Sequence, residues 1–184
     1  MDDYGVVLES GAVRFERLLP GPVERVWSYL TESEKRGQWL ASGAFDLRVG
    51  GRTEMLFKHS DLTDETPPEV YRNVHENGVR STGTITRYEP PRIIAFTWGG
   101  CDESESEVEF ELVPKGGKVL LVLTHRKLAS KAEMTSVSGG SHMHLGLLDG
   151  VLSGNPRRGF WSRFKALDAD YAARYAGLPE PGQN

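Results

Sequence analysis

The chain has 184 residues, of which 38% are hydrophobic and 26% charged, a composition typical of one globular domain with its own core. Its formal net charge is −4 and no run of Lys and Arg is longer than two residues, which argues against a nucleic-acid-binding protein. Cys101 is the only cysteine, so an internal disulfide is excluded.

The chain opens on an acidic segment, Met1-Asp2-Asp3-Tyr4, which lacks the apolar stretch of a secretory signal peptide. No apolar run elsewhere approaches the roughly 18–20 residues that a membrane-spanning helix needs. We therefore expect a cytoplasmic protein without a membrane span.

The first predicted elements are one strand and two short helices. Residues 12–19 alternate between apolar and polar types, which is the period of a half-buried strand. The apolar residues within 23–30 are spaced by three or four, as on one face of a helix. Thr31 and Glu34 have the spacing of a capping box, which predicts a second short helix over residues 33–40.

A long polar segment interrupts the strands that follow. Residues 45–49 form a candidate short strand, and residues 52–58 alternate in a pattern that predicts another. Residues 59–79 are polar and contain Pro67-Pro68, and a segment of this length inside a compact domain is usually functional or disordered. Two interpretations stay open for this segment, a lid over a binding site and a disordered surface loop.

Four consecutive strand patterns then predict an antiparallel meander, because short turns join neighbouring strands. The predicted strands cover residues 80–88, 92–98, 105–113 and 118–125. In the third strand, glutamates alternate with mostly apolar residues, so one face of the sheet is dry and the other meets water.

The last third of the chain predicts two helices. Leu145, Leu148 and Leu152 form an apolar stripe at helical spacing, and a break follows at Gly154-Asn155-Pro156. Residues 160–175 then place aromatic and aliphatic side chains three or four apart, which predicts a second amphipathic helix.

Strands and helices are segregated along the chain, which is the pattern of an α+β fold. A sheet with one dry face needs a cover, and the C-terminal helices carry the large apolar helical surface that remains. We therefore predict one domain over residues 1–184, in which a curved antiparallel sheet wraps around a long C-terminal helix. The expected core is at about residues 10–154, with an extra C-terminal helix at 155–177 and a tail at 178–184.

A series of short motifs runs through almost the whole chain in a characteristic order. They lie at residues 22–27, 30–31, Trp39, 46–51, Gly83, 89–92, 96–98, 123–125, 142–148 and 160–171. Together they resemble the START-like superfamily, also called SRPBCC, and within it the branch named after the activator of the heat-shock chaperone ATPase. The motif at 160–171 is similar to an extra helix found in some bacterial members.

This resemblance implies a helix-grip fold with an internal cavity, but it implies no particular reaction, because the superfamily includes carriers, sensors, cyclases and co-chaperones. The chain departs from the family at Ser141, where a tryptophan usually follows the glycine that opens the final helix. A smaller side chain at this position leaves more room beside the helix.

The aromatic residues and a few polar ones suggest a binding cavity built from apolar walls with polar fixtures. We expect the following residues to contact a ligand: Trp39, Met55, Phe57, Phe96, Thr97, Trp98, Val108, Phe110, His125, His144 and Leu148. His125 and His144 are also the weak candidates for a catalytic acid or base, since histidine titrates near neutrality. His142 and His144 are two residues apart on a predicted helix and cannot chelate one metal together, so neither a metal nor a cofactor is expected.

Three functions remain open on these grounds. The first is a carrier or sensor that binds a hydrophobic small molecule, such as a lipid, a polyketide or an aromatic compound. The second is an enzyme resembling polyketide cyclases or dehydratases, with His125 or His144 as acid or base. The third is a co-chaperone that stimulates a chaperone ATPase, and a homodimer stays open as an alternative to a monomer.

Overall fold

The computed structural model describes residues 3–9, 11–99, 106–155 and 159–182. Cys101, Glu105, Pro156 and the pair Arg157-Arg158 lie outside the described residues. Seven strands form one antiparallel sheet in the order β1-β2-β7-β6-β5-β4-β3, curved around a long helix, which is the helix-grip arrangement expected from the sequence. The strands are β1 (Val6–Glu9), β2 (Ala12–Pro20), β3 (Arg52–Phe57), β4 (Val79–Glu89), β5 (Ile93–Trp98), β6 (Ser106–Lys115) and β7 (Lys118–Arg126). The helices are α1 (Val23–Thr31), α2 (Ser33–Arg36), α3 (Arg72–Glu76), α4 (Lys131–Leu152) and α5 (Trp161–Tyr175).

The alternating pattern of β6 divides the sheet into two faces, as predicted. Val108, Phe110 and Leu112 are buried on the concave face, whereas Glu109 on the opposite face pairs with Arg87 and Arg126. The neighbouring strand β7 lies between β2 and β6. Leu121 and Leu123 are buried on one face of β7, and Val122 and Thr124 on the other, so the apolar residues of this strand show no alternation.

Helix α4 covers the concave face and begins at a well-formed cap. The Ser130 hydroxyl accepts a hydrogen bond from the Glu133 amide at 3.1 Å, and the Glu133 carboxylate accepts one from the Ala129 amide at 2.7 Å. One of the amides that every helix start leaves unpaired, that of Glu133, is thereby satisfied, together with the Ala129 amide just before the cap. No helix in the described ranges combines the length and the apolarity needed to cross a membrane.

Several local predictions at the start of the chain were wrong. The Thr31 hydroxyl donates to the Trp27 carbonyl instead of capping α2, which has Glu32 at its N-cap and ends at Arg36. Residues 45–49 form no strand, because only Phe45 makes a single bridge to Thr53. The edge strand β1 was not predicted at all, since Gly5 to Glu9 is too short to establish a period.

The segment 59–79 is folded against α5. It contains two 3₁₀ turns (His59–Asp61 and Glu69–Tyr71) and the short helix α3. The Tyr71 ring stacks on Trp161 at 5.2 Å and meets Phe164 edge-on at 5.4 Å. Helix α5 in turn packs along α4, with Tyr171 and Tyr175 buried.

Candidate ligand-binding site

A cavity of about 220 Å³ lies between the concave face of the sheet and the first half of α4. We call it the sheet–helix cavity. Its walls are formed by Trp39, Leu40, Phe57, Trp98, Val108, Phe110, Leu123, His125, Ser136, Val137, Gly140, Ser141, His144 and Leu145. Most of these side chains are apolar. Among the described lining residues, the two histidines are the acid–base groups, and there is no lysine, arginine, aspartate or glutamate.

The sheet wall is assembled by strand register. Val108 pairs with His125, and Phe110 pairs with Leu123, so these four residues of β6 and β7 form two rows on the same face. Side chains directly opposite one another in an antiparallel pair are close enough to form a continuous surface. The wall therefore follows from the period-two pattern of each strand together with the register that aligns them.

The helix wall is assembled by the period of α4. Val137, Ser141 and Leu145 are spaced by four residues, as are Gly140 and His144, so all five project from neighbouring turns of one helix face. A Cβ built at Gly140 would have no described atom within 4 Å, apart from the backbone of its own helix and its chain neighbours. Gly140 and Ser141 are therefore the points at which α4 leaves space instead of filling it.

Trp39 closes one end of the cavity and is fixed by two hydrogen bonds. Its indole Nε1 donates to the Tyr29 carbonyl at 2.8 Å, while its own carbonyl lies 2.6 Å from Nδ1 of His144. Its ring meets Phe110 edge-on at 6.3 Å. The turn after α2 is thus tied both to α1 and to α4.

His144 is buried in its neutral form. Burial lowers the pKa of the imidazole to about 4, although the hydrogen bond to the Trp39 carbonyl acts in the opposite direction. The ring also stacks against His59 at 5.9 Å and meets Phe160 at 5.5 Å. At neutral pH, His144 is an uncharged polar group in an apolar wall.

His125 occupies the opposite wall at the end of β7. Its Nε2 lies 3.0 Å from the Ser106 hydroxyl, and its ring meets Trp98 edge-on at 5.7 Å. Burial lowers its pKa to about 4 as well. A base with so low a pKa is almost wholly unprotonated at pH 7, but it is also a weak proton acceptor for general-base catalysis.

Seven of the eleven residues predicted to contact a ligand lie on the sheet–helix cavity, and whether they bind one stays a prediction. The seven are Trp39, Phe57, Trp98, Val108, Phe110, His125 and His144. Met55, Phe96 and Leu148 instead pack in the hydrophobic core. The Thr97 hydroxyl accepts a hydrogen bond from the Thr84 amide at 3.0 Å and does not line the cavity.

The sequence interpretation missed seven wall residues. They are Leu40, Leu123, Ser136, Val137, Gly140, Ser141 and Leu145. The sequence offers one indication for that stretch of α4, because Ser141 replaces a usual tryptophan and so leaves space beside the helix. Since helix residues four apart share a face, extending the stripe of Leu145 back by one and two turns would have identified Ser141 and Val137.

The segment 59–79 lies beside α5 and contributes none of the lining residues, although its His59 ring stacks on His144 of the cavity wall at 5.9 Å. Within the described ranges there is no group of three or more His, Cys, Asp or Glu side chains placed to hold a metal ion. The polar groups of the lining residues are the two histidine rings, the hydroxyls of Ser136 and Ser141 and the indole N–H of Trp98, besides the Trp39 N–H that is bonded to Tyr29.

Comparison with known proteins gives one family match and several similar structures. A model of the family described as Activator of Hsp90 ATPase homolog 1-like protein matches residues 20–153. The solution NMR structure of a protein from Bordetella parapertussis is 44% identical, with a TM-score of 0.81, over 94% of this chain and 91% of that one. The crystal structure of CalU16 from Micromonospora echinospora is 25% identical, with a TM-score of 0.67, over 88% of this chain and 86% of that one.

A more distant similarity concerns the fold alone. The solution structure of the Aha1 dimer from Colwellia psychrerythraea is 14% identical, with a TM-score of 0.57, over 77% of this chain and 95% of that one. Among curated proteins, none matches the sequence.

Proposed function

We propose that this chain, which belongs to the family of Activator of Hsp90 ATPase homolog 1-like proteins within the START-like superfamily, binds a hydrophobic small molecule. Its role would be that of a carrier or sensor. The observation that carries the proposal is the sheet–helix cavity, which is bounded mainly by aromatic and aliphatic side chains with two buried histidines. Binding sites for small molecules are typically built in this way, from apolar walls with a few polar groups.

The cavity volume narrows the choice among hydrophobic molecules. An engineered apolar cavity of about 150 Å³ takes up benzene, and drug-sized ligands usually occupy about 300–1,000 Å³. A cavity of about 220 Å³ therefore favours a compound of one or two aromatic rings over a long-chain lipid or an extended polyketide.

Filling the cavity tests this proposal. Ser141→Trp places the tryptophan that other family members usually carry at this position into the wall of the cavity, so the fold should tolerate it. A one- or two-ring aromatic compound at about 100 times its Kd should raise the melting temperature of the unmodified protein by about 5–10 °C. The same compound should give no rise with Ser141→Trp.

Ala132→Trp serves as the matched control, because Ala132 is an exposed residue of α4 outside the cavity lining. This variant should keep the full ligand-induced rise. The proposal fails if no apolar compound in a screen raises the melting temperature, or if Ser141→Trp responds to the compound as well as Ala132→Trp does.

The enzyme and co-chaperone alternatives have weaker support. A catalytic base works best with a pKa near the operating pH, whereas burial lowers the pKa of both His125 and His144 to about 4. The co-chaperone alternative rests on the name of the family and on the distant similarity to the Aha1 dimer. An assay of chaperone ATPase stimulation tests the co-chaperone alternative. A measurement of molecular mass by light scattering distinguishes a homodimer from a monomer.

A further inference from the structure

In each of the two histidines of the sheet–helix cavity, the protonated ring nitrogen donates a hydrogen bond to another group of the protein. For His144 the assignment follows from its partner. Its Nδ1 lies 2.6 Å from the Trp39 carbonyl oxygen, which can only accept a hydrogen bond. Nδ1 therefore carries the hydrogen, and the neutral ring leaves Nε2 as a bare acceptor.

For His125 the assignment follows from a short chain of hydrogen bonds. The Ser106 hydroxyl donates its hydrogen to the Trp98 carbonyl at 3.2 Å. With that hydrogen directed at Trp98, we assign the contact of 3.0 Å between Ser106 Oγ and His125 Nε2 to donation by the imidazole. The remaining nitrogen, Nδ1, is then a bare acceptor as well.

Both bare nitrogens keep contact with open space. Within the described parts of the chain, four side-chain nitrogen or oxygen atoms have neither accessible surface nor a hydrogen-bond partner. They are Arg14 Nε, Arg36 Nε, Thr53 Oγ1 and His59 Nδ1. Neither His125 Nδ1 nor His144 Nε2 is among them, and no hydrogen-bond partner among the described residues is recorded for either nitrogen. Because both residues line the cavity, we assign the two nitrogens to the cavity.

The electrostatic environment of the cavity disfavours an anion. No described lining residue is a lysine, arginine, aspartate or glutamate, and burial keeps both imidazoles neutral at pH 7. A carboxylate placed here would lose its hydration without gaining a positive partner, and its oxygens would face the lone pairs of the imidazoles. The hydroxyls of Ser136 and Ser141 can donate or accept, so they do not alter this preference.

We propose that the cavity selects neutral aromatic compounds that carry a hydrogen-bond donor, of which a phenol is the simplest example. This inference rests on the proposed binding function and specifies the class of ligand. A phenolic hydroxyl would donate to His125 Nδ1 or His144 Nε2 while its ring packs among Trp39, Trp98 and Phe110. An ether, a bare hydrocarbon or a carboxylate of the same shape would leave both acceptors unpaired.

A series of four compounds with the same ring system tests the inference: 2-naphthol, 2-methoxynaphthalene, naphthalene and 2-naphthoic acid. Dissociation constants are measured by titration at pH 7.5 with NMR detection. We expect 2-naphthol to bind roughly tenfold more tightly than the methyl ether and the hydrocarbon, since one satisfied hydrogen bond contributes on that scale. The naphthoate should bind most weakly.

Two variants assign the preference to its source. His125→Phe removes one acceptor and keeps an aromatic wall, so the advantage of 2-naphthol over naphthalene should shrink while naphthalene itself still binds. His75→Phe is the control, because His75 lies outside the cavity lining and should leave the advantage unchanged. Each variant is first checked for an intact melting transition, and the four compounds on the unmodified protein test the inference even if a variant does not fold.

The outcomes separate this inference from the function on which it rests. Equal affinity for 2-naphthol and its methyl ether, or tightest binding of the naphthoate, overturns the donor preference and leaves hydrophobic binding in place. Failure of all four compounds to bind overturns both for ligands of this size. A tenfold preference for 2-naphthol that shrinks in His125→Phe and is kept in His75→Phe supports the inference, whereas a preference that is the same in both variants excludes His125 as its source.

Discussion

Three histidines of this protein lie beside aromatic side chains and are held in the neutral form; His125 and His144 are buried and His59 is half-buried. Burial lowers the pKa of His125 and His144 to about 4, and burial together with the nearby His144 and His75 lowers that of His59 to about 3. Histidines in an unfolded chain titrate near 6.5. The folded protein therefore binds fewer protons than the unfolded one between these two ranges.

The first prediction concerns acid stability. Because the unfolded state takes up protons that the folded state excludes, the free energy of unfolding should fall as the pH drops from about 6.5 towards 4. The slope should approach about 1.4 kcal/mol per pH unit for each of the three histidines. Urea unfolding at pH 7.5, 6.0 and 5.0 measures it.

A histidine variant provides the control for this slope. In His125→Phe one of the three groups no longer titrates, so the loss of stability on acidification should be smaller than in the unmodified protein. Stability that is flat between pH 7.5 and 5.0 would contradict the assigned neutral state of these rings. Glu65 and Glu89, whose pKa values are lowered by hydrogen bonds, contribute their loss only at lower pH.

At the scale of elements, the first turn of α5 is capped by a residue almost one hundred positions away. The Glu65 carboxylate accepts hydrogen bonds from the Trp161 amide at 2.6 Å and the Ser162 amide at 3.2 Å, and its other oxygen accepts from the Ser162 hydroxyl at 2.8 Å. A negative charge at a helix N-terminus is favoured by the helix dipole and by the unpaired amides. Glu65 therefore joins the segment 59–79 to α5.

The second prediction follows from this cap. Glu65→Gln keeps the size of the side chain but removes its charge, so the free energy of unfolding should fall by about 1 kcal/mol. The amides of Trp161 and Ser162 should also exchange with solvent faster, as followed by hydrogen–deuterium exchange. Glu76→Gln, an exposed carboxylate in the same segment, should leave both quantities unchanged. Equal effects of the two substitutions would mean that the cap contributes nothing.

Two segments of the chain have the residue spacing of a capping box, but only one of them caps a helix in the predicted way. The spacing of Thr31 and Glu34 matches a capping box, but the Thr31 hydroxyl is used within α1. Ser130 and Glu133 have the same spacing and do cap α4. The difference is that Thr31 is the last residue of α1, so its hydroxyl bonds to the Trp27 carbonyl one turn earlier, and Glu32 becomes the N-cap of α2.

For the whole molecule, α5 connects the first residues of the chain to the central helix. The Tyr171 hydroxyl accepts a hydrogen bond from the Gly5 amide at 2.8 Å and lies 3.0 Å from Nδ1 of His142 on α4. Its ring is fully buried and contacts Tyr4 and Phe15. One side chain thus links the N-terminal edge of the sheet, α4 and α5.

The third prediction tests this link. Tyr171→Phe keeps the packing of the ring but removes the acceptor for Gly5, so the free energy of unfolding should fall by about 1–3 kcal/mol. Tyr88→Phe, at a tyrosine with no side-chain hydrogen bond recorded within the described residues, should change it much less. Chemical denaturation of both variants gives the comparison, and an equal loss in the two would show that the Tyr171 hydroxyl is not the stabilising group.

The domain division predicted from the sequence, with a core at about 10–154 and an extra helix at 155–177, stays a prediction. The family match at residues 20–153 ends before α5. The contacts of Tyr171 and Glu65 nevertheless tie α5 to the rest of the chain.

The amino-acid sequence was enough to predict the family, the α+β class, six of the seven strands, the second half of α4 and the helix α5, because periods of two and of three to four residues are properties of local chain segments. It also identified half of the cavity wall, since side chains of one parity on neighbouring strands must share a face. Which of those side chains border open space depends on the packing of the whole chain. Phe96 and Phe110 have the same parity in the sheet and both belong to the hydrophobic core, yet of the two only Phe110 lines the cavity. The pairing of His144 with Trp39, 105 residues apart, and the capping of α5 by Glu65 depend on how the helices lie against the sheet, and no local pattern encodes that arrangement.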